Sequence, residues 1–177
     1  MMCLTRYNIC SILGAQTLKY LDVEYTSTSV PMRVWQLAGL DSENVKQATV
    51  VCWMTLGVYF TQEMLYKMKK AKYNTCPGCK DDIVENLNHL LLHCSFYRII
   101  RETYLPKHFS QNNHISEILE NEDKVILSIL DPLSSKLPEV VTKNWNSAKH
   151  VYKLSREFCY NIHMKREKLH RDMEKES

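Results

Sequence analysis

A chain of 177 residues is the size of a single domain with room for a true core, and its 45% hydrophobic and 24% charged residues exclude a wholly disordered polymer. Four glycines and five prolines are too few for a sandwich or barrel built on many tight turns, so a mainly α fold is expected. The net charge of +3 points to nucleic acid only where basic residues cluster, and no apolar run is long enough to span a membrane.

Residues 1–42 read as a poorly defined N-terminal extension. Arg6 followed by residues 9–15 is the nearest approach to a signal peptide, but Asn8, Ser11 and Gly14 interrupt it. Within 18–30, Tyr20, Val23, Tyr25 and Val30 lie among Thr and Ser, the composition of a short strand or an extended arm; a loosely packed extension fits as well. Asp41 or Ser42 can then cap a helix whose apolar positions Val45, Ala48, Val51, Cys52, Leu56, Tyr59 and Phe60 recur at three and four residues, with a break or bend at Gly57. The periodicity resumes through Met64, Leu65 and Met68 and dissolves into Lys67, Lys69, Lys70 and Lys72, which suit a solvated helix end.

Short helices are expected over 86–92 and 96–105, the second ended by Pro106, then a polar loop over 108–113. Two more fall over 116–119 and 124–130, before a connection punctuated by Pro132 and Pro138. The longest element runs over 139–174 and carries Trp145, Ala148, Val151, Tyr152, Phe158, Cys159 and Ile162 on one side. Its stripe fades after Met164, so 165–177 is expected as a charged, solvated tail. The chain thus divides into the extension 1–42, a helix with a zinc-binding module over 43–106, a helical part over 107–164 and the tail.

Seven cysteines are an odd number in a chain long for a disulfide scaffold, which points to a reducing compartment, nuclear or cytoplasmic. Three of them gather with a histidine as Cys76-Pro-Gly-Cys79, nine residues, His89, four residues, Cys94. That order and spacing suit a closed tetrahedral zinc knuckle, with Pro77 fixing one angle of the first turn and Gly78 permitting a positive one. A regular helix would put Cys94 about 140° from the face of His89, so Cys94 must lie where the helix ends. His93 shares the face of His89 and offers a Cys2His2 alternative. The residues leave that choice open, while thiolate chemistry favours Cys94. A redox dithiol would need an apolar strand before Cys76, where Lys69-Lys70-Ala71-Lys72 stands. A zinc deaminase would need a His-x-Glu motif that the chain lacks before Cys76. Four protein ligands leave no position for water, so a structural rather than catalytic metal is expected.

Together, residues 50–59, the lysine-rich link, Cys76-Pro-Gly-Cys79, Glu85, His89-Leu-Leu-Leu-His-Cys94 and Tyr97-Arg98-Ile99-Ile100-Arg101-Glu102 resemble the zinc-binding C-terminal region of non-LTR (LINE-type) retrotransposon reverse transcriptases. The resemblance covers 45–106, extends more loosely to Ser155-Arg156-Glu157-Phe158-Cys159-Tyr160, and is poor over 1–40. It implies Cys76, Cys79, His89 and Cys94 as ligands, RNA or DNA as partner, and a reverse transcriptase domain in cis or trans. Ser95 stands where such regions often carry Pro, and Thr55-Leu56-Gly57 splits a Thr-Gly pair. No paired-aspartate polymerase motif is present, since Asp81-Asp82 falls in the zinc loop; the expectation is a non-enzymatic C-terminal fragment.

Between 61 and 80, Lys67, Lys69, Lys70, Lys72 and Lys80 face one acid, Glu63, a local net charge of +4. Such lysines would contact phosphates without reading bases, with Tyr66 and Tyr73 as stacking surfaces; Tyr97 reads first as a core side chain. Asp81, Asp82 and Glu85 weaken this basic surface. The alternative is a zinc-stapled helical module that packs against protein through the long stripe from Trp145 to Ile162.

Overall fold

A computed structural model describes residues 19–21, 32–79, 81–110, 115–134, 137 and 145–175, without the side chains of 115 and 145–147. The described chain is mainly α and ends in one long helix. Among the described residues no strand forms, and the pair Thr75 and Val84 makes an isolated antiparallel bridge.

The first helix, α1 (Arg33–Ala38), falls inside the stretch expected as an undefined extension. It buries Val34 and Ala38, and Tyr20 and Leu21 are buried as well, so part of that stretch belongs to the core. Residues 1–18 and 22–31 lie outside the described residues. Helix α2 (Ser42–Thr55) starts where Asp41 accepts the Asn44 amide at 2.8 Å, satisfying a free donor of the first turn. Its buried positions Ala48, Val51, Cys52 and Thr55 keep the helical period. The helix stops before Gly57, whose φ of 67° takes the chain out of the right-handed region, as the sequence led us to expect. Thr61 then caps α3 (Gln62–Lys67) by accepting the Met64 amide, and Lys69 ends that segment at φ 58°.

Helix α4 (Arg98–Phe109) runs through Pro106, contrary to the expected stop. The proline is exposed and removes one intrahelical bond, that to the Glu102 carbonyl, but the turn beyond it is anchored because His108 and Phe109 are buried. The expected polar loop over 108–113 is therefore corrected at its first two residues, while 111–114 lie outside the described residues. Two short helices follow, α5 (Ile115–Leu119) and α6 (Glu122–Leu130). Asn121 caps α6, and residues Val125 to Leu130 are all buried, as in a helix surrounded by protein.

Helix α7 (Trp145–Lys175) is 31 residues long, about 46 Å at the usual rise. It packs chiefly on α2 and α4, with α1 against both α2 and α7. Ala148, Val151, Tyr152, Phe158, Cys159 and Ile162 are buried, so the apolar stripe is covered within the chain; the Trp145 side chain lies outside the described residues. Burial pushes the Cys52 and Cys159 thiols up to about 12, which makes them core side chains rather than reactive ones. Cys3 and Cys10 lie outside the described residues. The tail expected from 165 onward is corrected too. Helix α7 continues to Lys175 and Arg166 is 4% exposed, because its side chain enters the interior beside the cysteine cluster.

Candidate metal centre

The turn Cys76-Pro-Gly-Cys79 is held by a short irregular hairpin. The Cys76 amide donates to the Ile83 carbonyl at 2.8 Å and the Glu85 amide to the Asn74 carbonyl at 2.9 Å. Asp82 closes the loop at φ 56°. Gly78 does not adopt a positive φ, contrary to expectation; a Cβ there would lie 3.1 Å from the Phe96 side chain, so any larger residue requires Phe96 to shift. The amides of Gly78 and Cys79 face the Cys76 sulfur, and those of Asp81 and Phe96 face Cys79 and Cys94. Each thiolate thus has donors waiting for its charge.

The other two ligands come from a single wide turn. Asn86 Oδ1 accepts the His89 amide at 2.8 Å, and the turn His89–His93 closes in π geometry with the Cys94 amide on the His89 carbonyl at 2.7 Å. An i to i+5 bond places residues five apart near one another, which a regular helix would not do. Cys94 then leaves the turn at ψ 119°.

Cys76 Sγ and Cys94 Sγ are 3.6 Å apart, Cys79 Sγ and His89 Nε2 are 3.4 Å apart, and all four ligand atoms lie within 4.8 Å of one another. A tetrahedral ion with metal–sulfur bonds of about 2.3 Å and metal–nitrogen bonds of about 2.0 Å requires edges of about 3.8 and 3.5 Å. The four side chains therefore fit one metal ion. The hydrogen bond between Cys76 and Cys94 pushes the Cys76 thiol up and draws Cys94 down, with burial adding to the first effect and opposing the second. Burial lowers His89, leaving it a neutral imidazole suited to ligation. His93 points elsewhere: half exposed, its Nε2 lies 2.9 Å from Glu122. The choice between His93 and Cys94 falls to Cys94.

Behind the cluster, Glu85 is fully buried and its Oε1 meets Arg166 Nη2 at 2.7 Å and Nε at 2.8 Å. The same oxygen accepts the Gln62 amide at 3.0 Å. Lys165 donates to the Phe96 carbonyl at 2.5 Å and lies 4.3 Å from the centre of the Phe96 ring, which itself rests on Gly78. The metal turn, the start of α3 and the second half of α7 are thereby joined. Sequence reading missed Lys165 and Arg166, although Arg166 continues the four-residue register of Phe158 and Ile162.

Among the expected nucleic-acid contacts, Lys67, Lys69, Lys70 and Lys72 are exposed on the approach to Cys76, and Lys80 lies outside the described residues. Lys67 pairs with Glu63 at 2.6 Å. Tyr66 and Tyr73 are exposed and Tyr97 is fully buried. Of the three acids that weakened the basic surface, Asp81 and Asp82 are exposed, whereas Glu85 is withdrawn into its ion pair.

No protein family, curated protein or solved structure matches the chain. The reverse-transcriptase resemblance rests on the motif residues alone.

Proposed function

We propose that Cys76, Cys79, His89 and Cys94 hold one structural zinc ion, and that the module it organises binds RNA or DNA with little sequence preference through Lys67, Lys69, Lys70 and Lys72. The observation that carries this reading is the cluster of three sulfurs and one imidazole nitrogen, all within 4.8 Å of one another, at the end of an exposed lysine-rich link. Zinc is favoured over other ions by the three thiolates and the closed geometry. Four protein ligands leave the metal no position for a reacting water, so its role is to fix structure. The motif resemblance supports the same reading, with a reverse transcriptase domain in cis or trans as the natural neighbour. The protein-packing alternative has less support, because the stripe that motivated it is covered by the chain's own helices.

Metal analysis is expected to give about one zinc per chain. Cys94→Ser loses it while His93→Gln retains it; the reverse outcome, or a folded protein without metal, removes the foundation. For nucleic acid, a gel-shift titration at rising salt is the measure. If the four lysines each meet one phosphate, affinity falls about 50- to 150-fold between 50 and 200 mM salt. Absence of binding at low salt, or no loss when all four lysines become Gln, overturns the reading.

A further inference from the structure

A cavity of about 530 Å³ opens between the end of α2, the turn after it and the second half of α7, apart from both the metal ligands and the lysine link. Its walls include Trp53, Tyr59, Phe60, His163, Arg166 and Glu167. Trp53 and Phe60 are 43% and 52% exposed, large apolar rings left at a mouth that water reaches. Trp53 and Tyr59 are braced: His163 sits edge-on to Trp53 at 6.1 Å and to Tyr59 at 5.8 Å, and the Tyr59 hydroxyl meets His163 Nδ1 at 3.2 Å.

The charges decide what such a cavity receives. Arg166 lines it, but its charge is balanced by Glu85 at 2.7 Å and its guanidinium already lies over the Tyr59 ring at 5.7 Å. Burial lowers the pKa of His163 and keeps its ring neutral at pH 7. Glu167 remains as the lining group whose charge is not balanced by an ion pair among the described residues. A phosphate would be repelled by Glu167, and an uncharged apolar group would desolvate the carboxylate without replacing its hydration. Aromatic rings lining a cavity together with a carboxylate suit a cation with an apolar shell. A primary ammonium, strongly hydrated, would lose more on entering.

We infer that this cavity is a binding site for a methylated ammonium group, with Trp53 and Phe60 as its aromatic walls and Glu167 as its counter-charge. The site is independent of the zinc and nucleic-acid reading.

The test uses the full, metal-loaded chain, with Trp53 and His163 followed by fluorescence and NMR. The probes are choline, a trimethyllysine peptide, the same peptide with unmodified lysine, and 3,3-dimethylbutan-1-ol, the uncharged carbon analogue of choline. A methylated cation is expected to bind about ten-fold more tightly than its uncharged or unmethylated counterpart. Trp53→Ala should remove binding, and Glu167→Gln should weaken it several-fold while metal content and helicity stay unchanged. Binding of only the peptide or only choline identifies the source and supports the site. Equal binding of the uncharged analogue or of unmodified lysine, or no binding of either cation at millimolar concentration, overturns it.

Discussion

His108 lies in the last turn of α4 with its ring buried and its Nε2–H donating to the Ser128 carbonyl at 3.0 Å. Burial pushes its pKa down from 6.5 to about 4, and the hydrogen bond offsets this only in part. The unfolded chain therefore takes up a proton on this side chain below pH 6.5 that the folded chain refuses until about pH 4. The group's contribution is fully present above 6.5 and is lost as the pH falls through that window. Between pH 6.5 and 5 the loss is about 2 kcal/mol. His108→Gln keeps a donor for Ser128 and cannot titrate, so its denaturation midpoint is expected to fall less steeply with acid than that of the parent. Comparing the two metal-loaded proteins cancels the acid sensitivity of the thiolates that both share. Parallel pH profiles would show that His108 does not carry the effect. In the sequence this histidine stood in an apparent polar loop, since its burial depends on a carbonyl twenty residues away.

At the scale of elements, what could be read from the sequence was what is local. The cap at Asp41, the break at Gly57 and the spacing of the four ligands each involve residues close in the chain, where steric and hydrogen-bonding preferences act directly. The π turn was not legible, because its wide closure competes with the ordinary helix that His89-Leu-Leu-Leu-His93 would form alone. Nor was the clasp between Glu85 and Arg166, which are 81 residues apart. That clasp has measurable consequences. Both side chains are almost wholly buried, so removing one leaves the other charged without a partner, a cost of about 3–5 kcal/mol. Glu85→Gln and Arg166→Met are each expected to lose that much stability in urea, and the pair Glu85→Leu with Arg166→Met to recover a large part of it. Additive losses in the double variant would show that the two side chains act separately. Surface pairs such as Lys153–Glu157 serve as controls and should cost less than about 1 kcal/mol.

For the whole molecule, the question is whether the metal supports the fold everywhere or only at one end. A structural zinc ion can supply about 10 kcal/mol in small peptides, comparable to the total stability of a domain at about 5–15 kcal/mol, so global unfolding on chelation is a real competitor. The arrangement of the core argues for the local outcome. Val34, Ala38, Ala48, Val51, Ile126, Ile129 and Tyr152 are buried in helices that contribute no ligand, and they bring α1, α2, α6 and the first half of α7 together. The ligand-bearing segment enters the core through Leu90, Leu91 and Tyr97, and reaches the second half of α7 through Phe96 and Glu85. Its only β pairing among the described residues is one isolated bridge. Chelation with EDTA is therefore expected to abolish amide protection over 73–97 and, because Lys165 and Arg166 lose their partners, to weaken it over 163–170. Protection in α2 and in the first half of α7 should persist. Hydrogen exchange with and without chelator reads this directly, and zinc added back should restore both affected segments together. Loss of protection in α2 at the same rate as in 73–97 would mean one cooperative unit held by the metal. Restoration of 73–97 without 163–170 would mean that the long helix does not sense the metal through Glu85.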